Sequence, residues 1–239
     1  MSLEIMPKYI LHEFCKYLDK DSICEFSVCN KWLHEKINIY LEQNFYFNIS
    51  EAGEIEKANT KFSIKNHRKL VIHDLSRIEN FNSLANLTHL FLGNKFIEPM
   101  DLNGLINLTH LFLGNKFNEP VDLNGLINLT HLTFGFNFNQ SVKLNGLINL
   151  THLTFGYNFN QSVNLDCLVN LTHLTFGHCF NHSVKLNCLI NLTHLTFMND
   201  FDQPVDLDCL VNLTHLIFGA RFNQIISVEK LVNLKYVKN

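Results

Sequence analysis

Seven of the 13 histidines recur at intervals of 21 residues: His89, His110, His131, His152, His173, His194 and His215. An imidazole can ligate a metal or change its charge near neutral pH, so a regular file of seven could be a metal ladder or a proton sensor. Each sits in the phrase Asn-Leu-Thr-His-Leu, whose first three residues are also an acceptor sequence for N-linked sugar, at Asn86, Asn107, Asn128, Asn149, Asn170, Asn191 and Asn212. Further matches begin at Asn139, Asn160 and Asn181. Against metal chemistry, parallel side chains in one row do not converge on a tetrahedral centre, and the repeated phrase puts no thiol or carboxylate beside its histidine. The pattern therefore assigns no metal and no cofactor. Nor does it offer a Gly-x-Gly-x-x-Gly, a phosphate-binding loop, a His-Glu-x-x-His or a nucleophile elbow, and none of the seven cysteines has a legible His–Asp setting. The chain reads as a binding protein and not an enzyme.

The elements that must carry these residues follow from alternation. In HLTFG at 152–156, Leu153 and Phe155 point one way while His152, Thr154 and Gly156 point the other, as in a short half-buried strand. Leu147 and Leu150 approach it through a turn, the chain turns again after Gly156, and Phe159 returns to the core. Gly93, Gly114, Gly135, Gly156, Gly177 and Gly219 all hold this turn position. One unit cannot cover its own apolar face, so the copies must stack, with neighbouring strands about 4.8 Å apart. The expected fold is an α/β solenoid: a leucine-rich-repeat-like stack of 21-residue units, each with one short parallel strand, preceded by three small helices. The histidines then line the outward, concave side. Stacked like charges resist protonation, so the file should be largely neutral and should loosen near pH 5. Glycans at every rung could not fit, and the repeated asparagine is better read as a turn residue whose amide satisfies neighbouring backbone.

Composition narrows the function. The chain of 239 residues is 46% hydrophobic and 17% charged, with a net charge of -3, so it lacks the basic stripe that nucleic acid requires. No apolar run approaches the ~20 residues of a membrane-spanning helix, and the first residues show no secretory pattern. A reduced cytoplasmic setting is expected, with small buried cysteines, among them Cys167, Cys188 and Cys209 at the repeat period.

Because sameness between rungs is packing, specificity should lie where rungs differ. After the turn glycine the pairs run Asn94-Lys95, Asn115-Lys116, Phe136-Asn137, Tyr157-Asn158, His178-Cys179, Asn199-Asp200 and Ala220-Arg221. Phe136, Tyr157 and His178 fall in a row. The outward strand position changes from Phe91 and Phe112 to threonine at the next four rungs and Ile217 at the last. Together with His131 and His152, these are the candidate target-binding residues: aromatic anchors beside a polar row.

Two resemblances refine this. FNEPV at 117–121 and FNQSV at 138–142 and 159–163 resemble the FNIP repeat, a leucine-rich-repeat relative found in social amoebae and giant viruses of amoebae. Pro99, Pro120 and Pro204 keep its proline, while Ser141, Ser162 and Ser183 depart from it. Residues 1–41 do not follow the period. Met6-Pro7, Ile10-Leu11, Phe14, Tyr17-Leu18-Asp19, Ile23, the Val28-Cys29 pair and Trp32 are similar to an F-box. That resemblance implies docking on a Skp-type adaptor of a cullin–RING ubiquitin ligase through Pro7, Ile10, Leu11, Phe14, Leu18 and Ile23, with the repeats presenting a target protein. The alternative is an interaction scaffold whose N-terminal helices only cap the solenoid. The expected organisation is an F-box-like segment over 1–41, a connector and degenerate capping repeat over 42–80, and repeats over 81–239.

Overall fold

The computed structural model describes residues 47–49, 69–72 and 84–238. Ten short strands follow one another: β1 (Phe47–Ile49), β2 (Lys69–Ile72), β3 (His89–Leu92), β4 (His110–Phe112), β5 (His131–Thr133), β6 (His152–Thr154), β7 (His173–Phe176), β8 (His194–Phe197), β9 (His215–Ile217) and β10 (Tyr236–Lys238). They form one parallel sheet in sequence order. From β3 onward the register is the period itself, so His152 lies opposite His131 on one side and His173 on the other. The sheet thus reads the repeat as one rung per unit.

Each coil sends six side chains inward. Around β6 they are Leu144, Leu147, Leu150, Leu153, Phe155 and Phe159, none more than 2% exposed. The first three are spaced by consecutive turns, in which Leu147 N–H donates to Leu144 O at 3.2 Å and Leu150 N–H to Leu147 O at 3.0 Å. Leu-x-x-Leu-x-x-Leu is therefore a bent path that points every third residue into the core. Burying each such side chain contributes roughly 1.5–3 kcal/mol. The two phenylalanines of one coil stack on each other, Phe155 on Phe159 at 4.1 Å, and on their neighbours above and below, Phe155 on Phe176 at 5.2 Å.

Polar ladders lock the rungs. The Asn149 amide donates to Ile127 O at 2.8 Å, and the same bond recurs from Asn107 to Asn233. The expected backbone role of this asparagine is thus found, but the carbonyl belongs to the preceding coil and not to its own turn. A second file caps the return path: Asn160 N–H donates to Asn139 Oδ1 at 2.9 Å, and Asn181 N–H to Asn160 Oδ1 at 3.0 Å. The Phe-Asn dipeptide therefore pairs a core aromatic with an inter-coil cap.

Several expectations change. There is no α-helix among the described residues, so the repeats supply strands and turns alone. The three helices expected over 1–41, and with them Pro7, Ile10, Leu11, Phe14, Leu18 and Ile23, lie outside the described residues. Strand β2 falls where a degenerate repeat was read, pairing Leu70 with Leu90. Strand β1 falls in a stretch with no detectable period. The post-strand glycines do begin turns, but their residue type is dictated by crowding: a Cβ on Gly156 would stand 1.8 Å from Gly135 O. The positive-φ glycines are a different set, Gly104, Gly125 and Gly146. Cys167, Cys188 and Cys209 replace them in later coils. Of these, Cys209 is exposed and not buried as expected, while Cys167 and Cys188 are half-buried.

Candidate functional site

The strand face carries the histidine file. Neighbouring rings lie 4.2–4.3 Å apart and within 11° of parallel from His89 to His215. Each is fixed by the threonine before it. Thr151 Oγ1 donates to Thr130 O at 3.0 Å and lies 2.9 Å from His152 Nδ1. A hydroxyl has one hydrogen, already used on the carbonyl, so the ring must be the donor. Nδ1 therefore carries the hydrogen, and Nε2 keeps the lone pair in the neutral ring. The arrangement repeats at Thr109, Thr130, Thr172, Thr193 and Thr214. The imidazoles from His89 to His194 are all held below their ordinary pKa. Partial burial is the largest cause, followed by like charge: Lys69 beside His89, and the neighbouring histidines for the rest. From His89 to His194 the file is built to stay neutral.

Beside it runs an open trough of about 1530 Å³, lined by the asparagines from Asn86 to Asn233 and the threonines from Thr88 to Thr214. From β3 to β9 both files are the same at each rung, so along that span neither can fix the register of a bound partner. The turn that holds these asparagines carries another regular file that the sequence reading passed over. Ile106, Ile127, Ile148, Val169, Ile190 and Val211 are all exposed, between 44% and 54%. Its signal was available as the Ile or Val between the two leucines of Leu-[Ile/Val]-Asn-Leu.

Distinction between rungs begins after the glycine. Phe136 stacks on Tyr157 at 4.5 Å, and Tyr157 on His178 at 4.4 Å. Phe136 is 48% exposed and Tyr157 40%. The candidate row is therefore a real continuous surface, formed because the three residues share one column. Phe91 and Phe112 lie elsewhere, half-buried on β3 and β4 with rings 6.2 Å apart, beside the histidine file. His131 and His152 are mid-file rungs. The candidates thus divide into two columns, one on the strands and one on the turns.

At the end of the aromatic row sits a group that the sequence reading did not assemble. His178, Cys179 and Asp200 bring one donor atom each within 4.8 Å of one another. His178 Nδ1 is buried without a hydrogen-bond partner among the described residues and stands 3.8 Å from Asp200 Oδ2. Asp200 Oδ1 accepts from Asn199 at 3.0 Å and pairs with Arg221 at 3.0 Å. Burial and the Asp200 charge both push the Cys179 thiol pKa up.

A parallel sheet with one strand per 21-residue coil, leucine turns and in-register polar ladders defines a leucine-rich-repeat-like solenoid. Two known structures share this fold. A circular leucine-rich-repeat protein of a giant virus, CroV588, matches with a TM-score of 0.61 at 32% identity, over 81% of this chain and 33% of that one. A chain of the Drosophila Toll–Spätzle complex matches with a TM-score of 0.58 at 15% identity, over 81% of this chain and 33% of that one. The internalin C2 of Listeria monocytogenes matches with a TM-score of 0.49 at 27% identity, over 68% of this chain and 75% of that one. The chain spans about a third of the length of CroV588. No protein-family model and no curated protein matches the sequence. Among the described residues there is no helix long and apolar enough to cross a membrane.

Proposed function

We propose that this chain is a protein-binding scaffold that seats its target on the turn surface from Phe136 to His178. The observation that carries this reading is the exposed, stacked Phe136–Tyr157 pair in a column otherwise occupied mainly by asparagine. Two rigid, exposed aromatic faces are where binding energy concentrates, and neighbouring polar rungs supply a rim. A solenoid of otherwise equal coils gives such a patch a fixed position. In this reading the chain acts by holding its partner, and no bond-making step is required of it.

The finer proposal is that residues 1–41 hold a Skp-type adaptor, making the chain the target-recruiting subunit of a cullin–RING ubiquitin ligase in the cytosol. The order of residues from Pro7 to Trp32 supports it. A second reading, in which the same segment only caps the solenoid, is favoured by β1: the segment precedes in sequence the strand that ends the sheet among the described residues, and sheet edges need cover. Affinity capture from host lysate separates them. Full-length chain should retain adaptor and cullin, and Leu11→Glu with Phe14→Glu should release both; a wild-type chain that captures neither leaves the capping role. Phe136→Ala with Tyr157→Ala should lower target capture at least ~30-fold, as loss of a binding hot spot does. Undiminished capture by that variant removes the aromatic row from the site.

A further inference from the structure

We propose that His178, Cys179 and Asp200 form a site for a divalent transition-metal cation of the zinc class, set at the end of the aromatic row. The three residue types supply the nitrogen, sulfur and oxygen donors that zinc accepts, and the three donor atoms already lie within 4.8 Å of one another. Ligands at zinc distances stand ~3.5 Å apart, so side-chain rotation has about 1 Å to close. The solenoid produces this convergence by stacking. Cys179 and Asp200 hold the same column on adjacent coils, and His178 precedes Cys179. This escapes the objection to the strand file, where identical side chains run parallel and never meet.

The surroundings are arranged for a cation. His178 Nδ1 is buried and lacks a hydrogen-bond partner among the described residues, so a lone pair or a hydrogen on it is unsatisfied as it stands. Asp200 turns its two oxygens to different tasks. Oδ1 is held by Asn199 and Arg221, while Oδ2 faces His178. Fixing the outer oxygen of a ligating carboxylate is how neighbouring groups orient a metal ligand. Thiolate and carboxylate neutralise the two positive charges of the ion. Binding replaces the Cys179 S–H bond with an S–metal bond and releases the proton to solvent, so affinity should fall about tenfold for each pH unit lowered. Three protein ligands leave a fourth position for water or for a donor atom of a partner seated on the Phe136–Tyr157 surface.

The chain supplies its own conservative replacements. The columns carry Tyr157 below His178 and Asn158 below Cys179, so His178→Tyr, Cys179→Asn and Asp200→Asn all insert residue types that this surface already accommodates. Full-length, reduced, chelator-treated protein is titrated with Co²⁺ alone. One equivalent should bind, with a thiolate-to-cobalt band in the near ultraviolet and the intense visible bands of four-coordinate cobalt, and Zn²⁺ should displace it. Cys179→Asn should abolish the thiolate band. His178→Tyr and Asp200→Asn should weaken binding at least ~10-fold. Cys209→Ser, an exposed thiol outside the cluster, should change nothing, and circular dichroism should report an intact array throughout. A wild-type titration without the thiolate band overturns the proposal, as does a band that survives Cys179→Asn.

Discussion

Replacing Gly156 by alanine tests whether this glycine column sets the stacking distance. The added methyl would stand 1.8 Å from Gly135 O and 2.5 Å from Gly135 C, both backbone atoms that cannot rotate away. The coil must shift, and one natural rung shows how. Phe N–H donates across the turn to Gly O at all six glycine rungs, at 3.0 Å for Phe96–Gly93 and 3.4 Å for Phe180–Gly177. At the rung carrying Met198 in this position, that bond is missing among the described residues. Overpacking costs about 1–3 kcal/mol. The lost turn bond adds about 1 kcal/mol. Gly156→Ala should therefore destabilise by about 3 kcal/mol. Gly146→Ala is the matched control: nothing lies within 4 Å of its Cβ, and only its φ of +91° is unfavourable. That strain costs about 1–2 kcal/mol and is partly offset by a stiffer unfolded chain. Urea unfolding followed by circular dichroism gives the difference. Amide exchange localises it, because the Phe159 and Asn158 N–H groups bond to Gly156 O and Phe136 O across this junction. Equal destabilisation by the two variants, with Phe159 and Asn158 still protected, would refute the crowding argument.

Stability should fall as pH drops below about 6.5, because the unfolded chain takes up protons there that the folded histidines from His89 to His194, with pKa values lowered by burial and like charge, resist. It should be fully regained above that pH; a melting temperature constant from pH 5 to 8 would contradict this, and changing His110, His152 and His194 to glutamine should flatten the slope. Phe159→Ala, at 0% exposure between Phe138 and Phe180, should cost about 3–5 kcal/mol in urea unfolding, and a loss under 1 kcal/mol would count against continuous aromatic packing. Asn149→Ala should cost about 1 kcal/mol, the worth of its bond to Ile127 O, and should leave the aromatic surface unchanged by partner binding.

Much of this architecture was written in the period. Counting 21 from His89 to His215 already gave the strand register, because a parallel stack with no insertion can pair only equivalent residues. The alternation in HLTFG gave the inward pair. What escaped was information that a single coil does not contain. The Gly156 column looks like ordinary turn chemistry until the neighbouring backbone is placed against it. Phe47–Ile49 joins the sheet with no repeat around it, so its pairing is a tertiary fact. The His178–Cys179–Asp200 group is split by a full period, and only the column shared by residues 21 apart, like that of Phe136 and Tyr157, brings Asp200 to Cys179. Residues 1–41 stay where the sequence left them, a resemblance and the expectations attached to it.

The uniform register also bears on how such a gene can change. Unequal recombination between near-identical units would add or remove whole coils, and an inserted copy would inherit every backbone ladder ready-made. Array length is therefore nearly free to drift. Features that depend on unlike neighbours are not. A coil inserted between Cys179 and Asp200 would carry them from one strand spacing apart to two, about 9.6 Å, and dissolve their contact while leaving the fold intact. Lineages that alter the number of coils should thus change it at the ends of the array, and leave the junctions from Phe136 to Asp200 uninterrupted wherever that surface is in use.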